Sequence, residues 1–340
     1  MGGLPTVNDV ATAAGVSRQT VSNVLNSPQI VREETRYRVQ QAIAQLGYRP
    51  HASARRLRTQ RSSTLAVRIE PTPDGVSGSV LDRFLHALTE QADGLGLRVM
   101  LYAAKDADDE VRAIRRLVQG SDVDAFVLTS TFHGDPRIAW LIEHGQSFVA
   151  FGRPWGFQAD DERYLWVDVD GRLGVFSATD YLLGQGCRRI AFLGWPVGSG
   201  TGDERRLGWR QAMQSFGLGV DELESLTVFS EENLQAGRVA VTALLARCPD
   251  LDGIVATSDT LAMAAMATAQ GRLPVVGFDN TPVAASLGFS SVDQCLEEVA
   301  AHALALLQQA VGDAPSGPTN FLVTPRLVVR EGSAAVDLLR

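Results

Sequence analysis

Lysine is almost missing from this chain of 340 residues. Lys105 stands alone among 31 basic residues, and arginine supplies the rest. A GC-rich genome produces that bias, so it excludes no function. Cysteine is scarce too. Cys187, Cys248 and Cys295 form no CxxC and no zinc-ligand spacing. A sparse, odd count fits a reducing cytosol and not a disulfide framework. No apolar run reaches the roughly 18 residues of a membrane-spanning helix. No basic-then-apolar leader opens the chain. The expectation is a cytoplasmic protein with no membrane partner. Enzyme signatures are absent as well. "RIEPTPDGVSGS", after the first strand, offers neither GxGxxG nor GxxxxGK[ST]. "GSGTGDE" near Gly198 is glycine-rich, but no Lys-Ser/Thr follows it. GxSxG and HExxH do not occur. These gaps predict a binding protein, not an enzyme, with no cofactor and no metal site.

What is present is unevenly charged. The chain through Arg61 carries nine arginines and three acids, a balance of +6, against a total of -8. The remainder therefore carries -14. A basic head on an acidic body predicts that only the head meets a polyanion. At 45% hydrophobic, the chain has material for two or three domains.

The head spans residues 1–49. Thr6 is placed to cap a helix ending at Ala14, with Asp9 at the capping-box position. Gly15 permits a tight turn. Ser17 then caps a second helix that Ser27-Pro28 stops near Asn26. A third helix runs from Glu33 to Leu46, closed by Gly47. Val10, Val16, Val21, Val24, Leu25, Val39, Ile43 and Leu46 supply a small core. The second helix, "GVSRQTVSNVLN", carries small hydrogen-bonding side chains where a solubilising surface uses Glu and Lys. A helix fits the DNA major groove, and residues near its start reach base edges. Arg18 suits guanine, Gln19 suits adenine, and Thr20 stands beside them. Thr6, Ser17, Ser22 and Asn26 suit the backbone. Residues 50–62, within "GYRPHASARRLRTQRSST", have too little to bury for an independent helix. They read as a linker that orders on a partner.

From residue 63 to 340 the texture changes. Short apolar strands ("TLAVRI", "RVMLYA", "AFVLT", "SFVAF", "IAFLG", "GIVAT", "PVVGF") alternate with helix-length segments. That alternation predicts βαβ units, parallel sheets and an α/β core. About ten strands divide into two lobes. One holds about 63–185 plus 294–323, the other about 188–290 plus 325–340, and a cleft lies between them.

"TVNDVATAAGVSRQTVSNVLN" followed by "VREETRYRVQQAIAQLGYRPHASARRLRTQRS" resembles the head of a lactose repressor (LacI) family regulator. The body follows the family order too, through "VDVDG", "RRIAFLG", "RRLGW", "ATSD", "VVGFDN" and "SSVDQ". The resemblance implies a helix-turn-helix head and a hinge helix joined to a two-lobed, periplasmic-binding-protein-like core. It also implies a homodimer on palindromic double-stranded operator DNA, repressing transcription under control of a small sugar effector; the alternative is a regulator of the same fold that activates, or that answers to a non-sugar effector. Leu57 matches the leucine that wedges into the central base step, and Ala54 the small residue facing the groove; Arg55, Arg56 and Arg58 suit phosphates. His51 stands where the family often has Asn, and Arg32 where it often has a Ser or Thr cap. Within the cleft, Asp170, Arg205, Asp279 and Gln294 match effector contacts. Lys105 falls near another. Asp259 reads either as a helix cap or as a sugar ligand. Trp155, Trp166, Trp195, Phe84 and Phe132 are aromatic faces on which a sugar could stack. "FGRPW" and "FLGWPVGSGTGDERRLGW" are similar to actinobacterial regulators answering to cellobiose or related β-glucosides. The tail "AAVDLLR" is too short for an added heptad bundle, which favours a dimer over a tetramer.

Overall fold

The computed structural model describes residues 5–48, 62–69, 79–155, 164–311 and 317–330. It falls into two compact units that divide between Ser62 and Ser63. The first is a three-helix head: α1 (Val7–Ala14), α2 (Arg18–Asn26) and α3 (Glu33–Leu46). Val10, Val21 and Val39 meet at its centre, fully buried. Each such side chain contributes about 1.5–3 kcal/mol relative to exposure. Leu25 is an exception to the expected core, because it faces solvent on α2. Gly15 ends α1 at φ +64, where a side chain would be strained. At α3 the Arg32 cap position makes no side-chain hydrogen bond. Glu33 and Glu34 in the first turn meet the helix dipole instead.

The second unit is built around two six-stranded sheets. In chain order its elements begin β1 (Thr64–Ile69), α4 (Ser79–Gly94), β2 (Arg98–Ala103), α5 (Ala107–Gln119), β3 (Ala125–Leu128), α6 (Pro136–Glu143), β4 (Phe148–Phe151) and β5 (Leu165–Val169). They continue with α7 (Gly171–Gly184), β6 (Ile190–Gly194), α8 (Gly200–Ser215), α9 (Val220–Ser225), β7 (Thr227–Phe229), α10 (Leu234–Arg247), β8 (Gly253–Ala256), α11 (Asp259–Ala269) and β9 (Val275–Phe278). The chain closes with α12 (Pro282–Leu287), β10 (Ser290–Asp293), α13 (Leu296–Val311), β11 (Asn320–Val323) and β12 (Arg326–Val328). The sheet of the N-terminal lobe runs β11-β5-β4-β3-β1-β2, and that of the C-terminal lobe β12-β10-β9-β8-β6-β7. All pairings are parallel except β10 with β12. Parallel sheets with both faces covered read as continuous apolar runs, which is why "IAFLG", "GIVA" and "VVGF" are fully buried.

β5 and β7 are among the strands that the apolar runs do not show. β5 reads LWVDV, and its Asp168 breaks the apolar run. β7 has three residues and sits at a sheet edge. The first lobe boundary also moves, from about 185–188 to Asp170. Helix α7 packs against α8, β6, β8 and β10, and so belongs to the C-terminal lobe. Gly208 of α8 makes this close packing possible: a Cβ there would sit 2.1 Å from the Arg172 carbonyl oxygen of α7. The chain then crosses back between β10 and α13, which packs on α4 and β5, and crosses again between β11 and β12.

Candidate functional site

The head presents α2 by its start. Ser17 caps it, its Oγ accepting from the Thr20 amide at 3.1 Å. At α1, Thr6 and Asp9 form the reciprocal capping box, and the Thr6 amide donates to the Asp9 carboxylate at 2.7 Å. Those bonds hold the Asp9 carboxyl below the ordinary range. Arg18 and Gln19 are exposed on the first turn of α2, while Thr20 and Ser22 are half-buried. Gln19 donates to the Asn23 side chain at 3.0 Å, and Asn26 donates to the Ser22 carbonyl at 2.6 Å. The polar face is therefore pre-arranged by i to i+4 bonds. His51, Ala54, Arg55, Arg56, Leu57 and Arg58 lie outside the described residues.

In the core, a cleft of about 430 Å³ opens where strands of both sheets end at their carboxyl edges. Open α/β sheets bind ligands at such edges. Val80 and Leu81 of α4, Thr129–Thr131 after β3, Phe151 at the end of β4 with Gly152 after it, and Asp168 and Val169 of β5 form the N-terminal wall. Trp195, Ser199, Thr201, Arg205, Glu232, Asp279 and the crossover residue Gln294 form the opposite one.

Arg205 is the hub. Its guanidinium lies 3.6 Å from the centroid of Phe278 and 5.2 Å from that of Trp195. Nη1 donates to the Thr257 carbonyl at 2.6 Å and stands 3.8 Å from Asp279 Oδ1. Burial lowers its pKa, and the charge of Asp279 is the first of the effects that oppose this. Its Nε is buried with no hydrogen-bond partner among the described residues. The same holds for the Thr129 hydroxyl on the other wall. A buried polar atom without a partner costs about 1–3 kcal/mol.

Asp279 accepts from Gln294 Nε2 at 2.6 Å. Burial pushes its carboxyl up to about 7, against the pull of Arg205. Asp168 accepts from Arg153 Nε at 2.9 Å and from the Val169 amide at 2.8 Å. Burial raises its pKa even so. Glu232 takes hydrogen bonds from Trp195 Nε1 at 2.5 Å and Ser258 Oγ at 2.8 Å.

Arg205, Asp279 and Gln294 thus come together as expected, and Trp195 provides an aromatic face. Other expected residues do not line the cleft. Asp170 caps α7, accepting from the Leu173 amide at 2.9 Å, and Asp168 occupies the wall two residues earlier. Lys105 is exposed after β2, its amide bonded to Asp109. Phe84 is wholly buried behind the wall, with its ring 5.0 Å from that of Phe151. Trp166 packs in the outer hydrophobic cluster of the N-terminal lobe. Trp155 rests against Gly200 at the start of α8, and Phe132 lies beside Arg137. Asp259 is neither the helix cap, which is Ser258, nor part of the cleft lining: it accepts from Ser291 Oγ and the Thr281 amide. Thr129–Thr131, Ser199, Thr201 and Glu232 were not expected. Their one signal was position, since each follows closely on the carboxyl end of a strand.

A helix-turn-helix head on a two-lobed core with a polar interlobe cleft defines a ligand-responsive DNA-binding regulator. Residues 6–51 match the family described as bacterial regulatory proteins, lacI family. Residues 77–316 match periplasmic binding proteins and sugar binding domain of LacI family. The chain belongs to the LacI family of bacterial transcriptional regulators. It is 33% identical to the HTH-type transcriptional regulator CelR of Thermobifida fusca, over 96% of this chain and 98% of that one. A solved transcriptional regulator CelR–cellobiose complex is 29% identical, with a TM-score of 0.72, covering 96% of this chain and 99% of that one. A LacI-family regulatory protein from Chloroflexus aggregans is 31% identical, with a TM-score of 0.71, covering 79% and 97%. Among the described residues no helix is long and apolar enough to cross a membrane.

Proposed function

We propose that the chain is a cytoplasmic repressor whose affinity for a palindromic operator is set by an uncharged saccharide in the interlobe cleft. Cellobiose or a related β-linked oligosaccharide is the first candidate. The cleft's polar inventory carries this reading. Arg205 Nε and the Thr129 hydroxyl are buried without partners on opposite walls among the described residues, and Trp195 lies beside Arg205. Vicinal hydroxyls donate to carboxylates and accept from a guanidinium, while a sugar's C–H face stacks on indole. Asp168, Glu232 and Asp279 outnumber Arg205 along the lining. A phosphorylated sugar would face net repulsion there, and like charges in a low-dielectric cleft interact strongly. The similarity to CelR and its cellobiose complex points the same way.

Each subunit of a homodimer would place α2 in one operator half-site, with Arg18 and Gln19 at the base edges. The saccharide acts by binding the two lobe arrangements unequally, which shifts their populations. The chain acts by binding and not by catalysis. The test pairs two assays. Thermal unfolding with cellobiose, other saccharides and their phosphates should show stabilisation by a neutral sugar only. Operator titrations with and without that sugar should show a response, and Asp279→Ala should abolish the response while preserving operator binding. Stabilisation by phosphorylated sugars alone would overturn the reading.

A further inference from the structure

Arg83 of α4 reaches across the lobe boundary. Its Nη1 donates to two carbonyl oxygens of the C-terminal lobe, those of Asp279 and Asn280, each at 3.0 Å. Its Nη2 stands 3.6 Å from the Asp293 carboxylate. The turn it grips is strained: Asp279 has φ +112 and Asn280 φ +47, and neither is glycine. Side-chain-bearing residues hold such angles only when their surroundings over-determine them. On its own lobe the turn is pinned by the Asn280 amide bonding to Ser291 Oγ at 2.9 Å. Asn280 is also gripped at its side chain by Arg330 and Asp293, each at 2.5 Å. The Asp279 amide donates to the Val292 carbonyl at 2.8 Å. Arg83 adds a hold on the turn's carbonyls from the opposite lobe.

We infer that Arg83 is a positioning residue that sets the Asp279 carboxylate from the N-terminal lobe, and that it couples cleft occupancy to lobe arrangement. The inference rests on the reading of the cleft as an effector site. A ligand that draws Asp279 towards itself pulls on the carbonyls Arg83 holds, so the turn and α4 move together. A shift in one lobe arrangement then becomes a shift in the other only while the two bonds persist. Gln294 and Arg205 also touch Asp279, but both lie on the same side of the cleft as the turn or in the crossover.

The test uses the full chain and two readouts. Spin labels at Arg112→Cys on α5 and Val239→Cys on α10, both exposed, report the distance between lobes. The native cysteines are buried. This readout requires neither sugar nor operator. Arg83→Met should broaden the distance distribution of the ligand-free chain, and Arg83→Lys, whose ammonium can serve both carbonyls, should restore it. With cellobiose as probe, Arg83→Met should change sugar affinity by less than about fivefold. It should cut the ratio of operator affinities with and without sugar by at least about tenfold. An Arg83→Met distribution matching wild type would overturn the inference. So would a lysine variant no better than methionine. If the wild-type chain responds to no saccharide, the effector reading fails, and the distance measurement still judges Arg83.

Discussion

Replacing Arg205 by methionine tests the electrostatics of the cleft in one step. The substitution keeps much of the side chain's bulk between Phe278 and Trp195 but removes the cation. Two losses are independent of pH. A desolvated cation over an aromatic face is worth about 2 kcal/mol. A hydrogen bond from a charged donor, here to the Thr257 carbonyl, is worth about 1.5–3 kcal/mol. Methionine's own packing recovers part of this, leaving a cost of about 2–4 kcal/mol. The third loss depends on pH. Asp279 titrates at about 7, above the ordinary 3.8. The native chain therefore binds more protons than the unfolded chain between those values. This carboxyl's contribution to stability falls as pH rises through that window. Without Arg205 the folded pKa rises further, and the window extends upward. Below pH 6 the carboxyl is neutral in both proteins, so only the pH-independent cost remains. Above 7 the difference grows by about 1.4 kcal/mol per pH unit, reaching about 2 kcal/mol more at pH 8.5 than at pH 6. Urea unfolding of both proteins across pH 5.5–8.5 measures it. A stability difference that does not change with pH would refute the pairing of Arg205 with Asp279. Adding Asp279→Asn to the variant should flatten the profile.

Ligand binding should follow the same group. Sugar hydroxyls favour the ionised Asp279, so cellobiose affinity should rise between pH 6 and 8, by at most tenfold per unit, and titration calorimetry of Asp279→Asn should show no such rise. Thr129→Val should separate stability from binding: the ligand-free chain should melt at or above the wild-type temperature, since an unpartnered hydroxyl is removed, while saccharide affinity falls. Gly208→Ala should cost about 2 kcal/mol through overpacking between α7 and α8, read by urea unfolding, and a neutral effect would contradict the close helix contact.

The head was legible almost to the residue, because Thr6, Asp9, Ser17 and Gly47 are local signals that need no tertiary knowledge. Leu25 was misplaced because it follows the buried Val21 by four residues, the spacing of one helix face, and yet that face has turned to solvent by its position. Most strands were legible as apolar runs. β5 was not, since its buried Asp168 reads as polar until Arg153 is known to face it. In the cleft, Arg205, Asp279 and Gln294 came from the family resemblance and not from periodicity. Phe84 and Trp166 show the limit of that route: an aromatic near a strand end faces inward or outward according to sheet packing, which one sequence does not encode. Asp170 and Asp168 differ by two residues, the difference between capping a helix and lining a wall.

The three crossings of the chain between the lobes also govern how the protein is made. β11 is the edge strand beside β5, and β12 the edge strand beside β10. Both lie beyond residue 319. As the chain leaves the ribosome, neither sheet has its edge strand until residues 320–328 emerge, although most of the N-terminal lobe was synthesised long before. The helix-turn-helix, by contrast, precedes every strand. A nascent or truncated chain thus carries a finished DNA-binding head on an unfinished sensor, and its last dozen described residues complete both lobes together.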